Sequence, residues 1–180
     1  MYTINKKKMT ITILVPIAFF LIAASLHVPA TQALAEDVKY KLTCYLTKVE
    51  AIPVGDVEGH FILVYERRGV AIFEDGECAA YLTRGTADLT KHQGPIEGYC
   101  QLTYKDGSTT IAKHEGNMSI SPGEKLPSLK GKGEWVRGTG KFEGIKGNFS
   151  YSGKYITPYS KETKGDVYFE VTGSYTLPSK

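Results

Sequence analysis

From residue 38 onward the chain alternates apolar and polar side chains with a period of two, the pattern of strands with one buried face. Val38, Tyr40, Leu42, Cys44 and Leu46 share one face of a first strand, opposite Lys39, Lys41, Thr43, Tyr45 and Thr47. Val167, Phe169, Val171, Tyr175 and Leu177 repeat the pattern near the end, and Phe149, Tyr151 and Tyr155 form a third such face. Phe61 to Tyr65 is apolar at every position, as expected of a strand covered on both sides or capped by an adjacent loop. Helical stripes are absent. The candidate strands run near 38–49, 59–66, 69–74, 77–86, 96–105, 108–115, 131–137, 147–157 and 166–177. Eight or nine strands at this spacing predict an all-β, antiparallel sandwich or barrel, and closure would leave no edge strand unpaired.

Two turns carry most of the local information. Asp106-Gly107 predicts a two-residue hairpin loop in which Leu102 faces Ile111 and Tyr104 faces Thr109. Between the sixth and seventh expected strands stand Gly138-Thr139-Gly140-Lys141-Phe142-Glu143-Gly144-Ile145-Lys146-Gly147. Gly138, Gly140, Gly144 and Gly147 allow positive φ, so the segment is expected to turn tightly and drive Phe142 and Ile145 into one end of a barrel.

The first 35 residues are read apart from the fold. Lys6, Lys7 and Lys8 precede an apolar run from Met9 to Leu26, and Ala33-Leu34-Ala35 fits a signal-peptidase site. This predicts a secretory signal peptide over 1–35 and one mature domain over 36–180, in a secreted or periplasmic protein. A retained membrane anchor ranks second because Pro16 interrupts the run. The three leader lysines account for the whole excess of 22 basic over 19 acidic residues, so the mature chain is neutral. Neutrality argues against nucleic acid or an anionic membrane as partner, and Arg67-Arg68 reads as a pair of solvated turn residues.

Export gives the three cysteines a meaning. One disulfide and one free thiol are expected. A hairpin turning near Leu89 would set Cys78 opposite Cys100, Ala80 opposite Gly98 and Leu82 opposite Ile96, leaving Cys44 as a buried, inert thiol.

Familiar catalytic constellations are missing. His60, His92 and His114 are scattered without metal-ligand spacing, serine is nowhere set in G-x-S-x-G, and Glu143 stands where a dinucleotide fingerprint needs glycine. No catalytic residue, metal ligand or cofactor is assigned. Asn117-Met118-Ser119 and Asn148-Phe149-Ser150 are formal glycosylation sequons. Eleven of the 12 tyrosines lie beyond the leader. They are either packing residues or, with Tyr40, Leu42, Tyr104, Tyr151, Tyr155, Phe169 and Tyr175 inside a barrel, the lining of an apolar cavity with hydroxyl handles.

The glycine-rich decapeptide resembles the signature of allene oxide cyclase-like barrels. Tyr99-Cys100, Thr103 and Lys105-Asp106-Gly107 are similar to the hairpin that precedes it in uncharacterised secreted bacterial members, and Gly131 to Trp135 is similar to the intervening strand. The resemblance covers Cys78 to Pro178. It implies a closed antiparallel eight-stranded barrel of the calycin and allene oxide cyclase-like kind, shared with dirigent proteins, with association of copies of the chain left open. It also implies an alternative function. The residues favour a non-catalytic barrel that binds a small hydrophobic ligand or a protein partner. The resemblance adds a cofactor-free cyclase or isomerase, for which Glu50, Glu58 or Glu66 would have to point into the cavity as the acid.

Overall fold

The computed structural model describes residues 34–160 and 162–179, so the expected signal peptide lies outside the described residues except for Leu34 and Ala35. Eight antiparallel strands follow one another around a closed barrel: β1 (Glu36–Pro53), β2 (His60–Phe73), β3 (Cys78–Thr90), β4 (Gly94–Tyr104), β5 (Thr109–Ser119), β6 (Ser128–Thr139), β7 (Lys146–Tyr155) and β8 (Val167–Thr176). β8 pairs with β1, with Leu42 beside Phe169, and the ring has no free edge. The faces read from alternation in β1, β7 and β8 point inward: Tyr40, Leu42, Cys44, Phe149, Val167, Phe169 and Val171 are all buried.

Four expectations are corrected by the pairing. The runs 59–66 and 69–74 are one strand, because alternation continues through Leu63, Tyr65, Arg67, Gly69 and Ala71. Arg67 therefore points inward and is buried, whereas its neighbour Arg68 points out. Phe61 to Tyr65 is not covered on both sides, since Val64 is exposed on the outer surface, as is the paired strand's Ile52. The loop between β4 and β5 has three residues, with Tyr104 N–H donating to Ser108 O at 2.9 Å and Gly107 at φ +83°. That is a type I turn closed by a left-handed glycine. It slides the register by one, so Leu102 faces Thr110 and Thr103 faces Thr109, and Ile111 turns outward while His114 turns inward.

The β3–β4 hairpin turns at Lys91 and His92, both left-handed, and not near Leu89. Cys100 lies opposite Thr83, and Cys78 pairs with Ile72 on the outer surface. The displacement is odd, and an odd displacement in a strand reverses its faces. Cys78 and Cys100 are therefore not bridged, and all three cysteines are free. Burial raises the thiol pKa of Cys44 to about 11 and of Cys100 to about 12. A thiol reagent is expected to add one label to the native protein, at the exposed Cys78, and three after unfolding. Intact mass spectrometry checks this; a native mass carrying no label and lacking two protons would restore the disulfide.

A β-bulge sets the geometry of the open end. Register shifts between Leu46 and Lys48 in β1, so even-numbered residues point inward before it and odd-numbered ones after it. The shift turns Val49 and Ala51 toward the lumen, where both line the mouth.

The opposite end is plugged as the decapeptide predicted. A single 3₁₀ turn, Gly140–Phe142, buries Phe142, and Ile145 follows it into the core. The Phe142 ring packs 4.6 Å from Tyr104 and 6.1 Å from Tyr175, and Phe73 continues the stack 5.7 Å beyond Tyr104. Gly140, Gly144 and Gly147 adopt positive φ, but Gly138 does not. Gly138 serves close approach: a Cβ there would stand 2.1 Å from the Phe142 carbonyl oxygen.

Candidate functional site

With one end stoppered, the lumen opens only partway and then meets solvent at the other end. The mouth chamber has a volume of about 620 Å³, within the range of small-molecule sites. Its walls are Leu46, Leu63, Leu89, Ile96, Met118 and Leu129, and its rim carries Glu58, Lys91 and His92. Beneath it a far smaller space of about 50 Å³ continues into the barrel, lined among others by Tyr40, Leu42, Tyr81, His114 and Phe169. Tyr65, Arg67, Ile96 and Leu129 border both spaces, so they form the floor of one and the roof of the other. A concavity of about 710 Å³ on the barrel flank is wider open, and the charged side chains of Glu97, Glu115, Lys130 and Lys132 share its lining with Ile62, Pro95 and Ile96.

Arg67 is the chemically distinctive group of the floor. Its guanidinium donates to Gly165 O at 3.3 Å and to the Tyr155 hydroxyl, and it lies 5.2 Å from the Tyr155 ring centre and 5.9 Å from that of Tyr65. Among the described residues no carboxylate lies within 4.0 Å of it. Asp166, on the segment leading into β8, is engaged by the Thr157 hydroxyl at 2.8 Å. Burial raises the Tyr65 phenol to about 12 and the Cys44 thiol to about 11, so both stay neutral at pH 7. A permanently protonated side chain thus borders the lumen with no carboxylate in ion-pair contact among the described residues.

His114 is the second polar group inside. Thr83 Oγ donates to Tyr99 O at 3.1 Å and so accepts from His114 Nε2–H at 3.1 Å. This leaves His114 Nδ1 as a buried acceptor with no hydrogen-bond partner among the described residues. Burial lowers the imidazole pKa to about 4. His60, at the start of β2, behaves in the opposite way: Asp56 at 2.6 Å and Asp88 at 2.7 Å hold its two ring nitrogens, and hydrogen bonding to Asp88 and then Asp56 raises its pKa.

The residues assigned from the sequence separate into three groups. Tyr40, Leu42, Tyr151 and Phe169 line the small inner space, with Tyr151 O–H donating to Glu115 O at 3.2 Å. Tyr155 lines the mouth. Tyr104 and Tyr175 pack on Phe142 in the plug, and Tyr175 O–H reaches Glu36 at 2.7 Å. Arg67, Tyr65, Leu63 and His114 were missed: Val64 and Val70 are apolar on the outer face, so polarity does not alternate through this stretch, and it is the continuous pairing of β2 that turns Arg67 inward. Of the three candidate acids only Glu58 lines the mouth chamber. Glu50 is exposed on the outer surface and Glu58 is exposed at the rim. Glu66 is tied outside by Arg68 at 3.1 Å and Arg84 at 2.9 Å; hydrogen bonding to Arg68, and then to Thr47, lowers its pKa. Among the described residues no cluster of three His, Cys, Asp or Glu is placed to hold a metal.

Fold and site together define a small β-barrel with one plugged end and one apolar, solvent-open chamber. No protein-family model matches the sequence, and no curated protein matches it. Among solved structures, the pterocarpan synthase dirigent protein PsPTS1 is similar at 13% identity and a TM-score of 0.46, over 82% of this chain and 97% of that one. The pterocarpan synthase dirigent protein GePTS1 gives 13% identity and a TM-score of 0.46, over 81% and 92%. The barrel is defined by its own strand pairing, independently of these likenesses.

Proposed function

We propose that the protein is an exported barrel of the allene oxide cyclase-like kind that binds one small, largely apolar molecule in its mouth chamber without transforming it. The observation that carries the binding role is the contrast between the two ends: aromatic rings fill one, while about 620 Å³ of leucine-, methionine- and isoleucine-walled space stays open at the other. The leader supports export, and the decapeptide supports the family reading. The cyclase alternative retains only Glu58, an exposed carboxylate on the mouth lining, as its candidate acid.

A neutral hydrophobic fluorophore, N-phenyl-1-naphthylamine, is expected to bind saturably at one site per chain. Ala51 lines the mouth yet is exposed, so Ala51→Trp fills the chamber without overpacking the core. That variant is expected to weaken fluorophore binding about tenfold or more, since a lost apolar contact surface of this size is worth on the order of 2 kcal/mol, with an unchanged melting temperature. Absence of saturable binding to the native protein, or full binding to Ala51→Trp, would count against a ligand-binding mouth.

A further inference from the structure

We infer that the ligand is an organic acid, entering head first, with its carboxylate on Arg67 and its compact apolar body filling the mouth chamber. The inference rests on the ligand-binding reading above and adds its chemical class. Arg67 is 8% exposed, spends its described hydrogen bonds on one carbonyl and one phenol, and has no ion partner within 4.0 Å among the described residues. An uncompensated charge away from water is strongly destabilising, and a carboxylate supplied from outside would remove that penalty. The floor geometry sets the polarity. Arg67 borders both spaces, so an acid group entering from the mouth meets it at the deepest point a molecule of any size reaches. The inner space, about 50 Å³, is too small to take an acyl chain past the guanidinium, so the body must stay on the mouth side. Around the head, the Tyr65 and Tyr155 rings flank the guanidinium and keep its planar fork oriented, which suits the two oxygens of a carboxylate.

A competing role for Arg67 is purely architectural, as the tie that holds Gly165 and Tyr155 to the barrel wall. Paired probes separate the two: 2-naphthoate and 2-naphthalenemethanol share an apolar body and differ in charge. Calorimetric titration of the full mature chain at pH 7 is expected to show naphthoate binding about ten- to hundredfold tighter, the range for a hydrogen bond to a charged group. In Arg67→Met the two affinities are expected to converge to within about twofold, and Arg67→Lys is expected to keep part of the difference. If neither probe binds, the ligand-binding reading fails; if both bind equally to the native protein, that reading stands and the acid is wrong. A preference that persists in Arg67→Met assigns it to the rim lysine and overturns the role of Arg67. Should the variants not fold, the Arg67 Nε–Hε resonance of the native protein decides: it is expected to move downfield with naphthoate, as a proton donated to a carboxylate does, well beyond the shift the alcohol's ring alone produces, and equal shifts with the two probes, or an unmoved resonance, overturn the inference.

Discussion

Phe142→Ala is expected to cost about 3–5 kcal/mol of unfolding free energy, the range for truncating a buried phenylalanine to alanine. For a domain of this length that corresponds to a fall in melting temperature of roughly 10 °C or more. The ring is 7% exposed and central to the plug, with Tyr104 and Tyr175 on two of its sides. Its backbone is fixed independently, by Glu143 N–H donating to Gly140 O and Ile145 N–H donating to Phe142 O. The loop therefore has little freedom to collapse into the void, which places the cost toward the upper part of the range. Tyr99, also an aromatic strand residue but 55% exposed on the outer surface, provides the control. Tyr99→Ala is expected to cost less than about 1 kcal/mol. Equal urea midpoints for the two variants would mean that the decapeptide does not stopper the barrel.

The second large effect is loss of stability in mild acid. His114 has a pKa of about 4 when folded, against 6.5 when unfolded, because burial disfavours the imidazolium. The unfolded chain therefore binds the proton first. The contribution is fully present above about pH 6.5 and is lost as pH falls toward 4, to a total on the order of 3 kcal/mol. His60 acts in the opposite sense: its folded pKa is raised, so its contribution is present below 6.5 and is lost as pH rises through the folded value. Stability should accordingly peak near pH 6–7. Asp56, Glu66 and Asp106 have lowered folded pKa values, and the stability they contribute is lost only as pH falls below the ordinary carboxylate range. His114→Gln separates the effects. Its urea midpoint is expected to change little between pH 6.5 and 4.5, where the native protein weakens steadily; the same acid slope in both proteins would remove His114 as the cause.

How much of this was legible in the sequence follows from what each signal depends on. Alternation from Val38 to Leu46, the glycines around Phe142 and Ile145, and the run from Val167 to Leu177 specify inward faces locally, and they gave the barrel and its plug. Register was not local. Asp106-Gly107 fits a two-residue loop, yet the structure includes Lys105 in a three-residue turn, and that single residue exchanged Ile111 for His114 on the inner face. The Cys78–Cys100 pairing failed for the same reason, with the turn at Lys91 and His92 instead of Leu89. Arg67 is not legible locally, since apolar Val64 and Val70 stand on the outer face on either side of it, arginine is seldom inward, and two adjacent arginines look like a turn. Where both faces are apolar, as from Phe61 to Tyr65, period carries no information, and the exposed Val64 could not be told from the lumenal Leu63.

The most direct test of the central claim is where a neutral probe sits. Intermolecular nuclear Overhauser effects between bound N-phenyl-1-naphthylamine and methyl-labelled protein are expected to reach Leu63, Leu89 and Met118 in the mouth, and none on the outer surface. Contacts to the exposed methyls of Ile52, Val64 and Ile72, without any to the mouth residues, would contradict a barrel that takes its ligand through one open end.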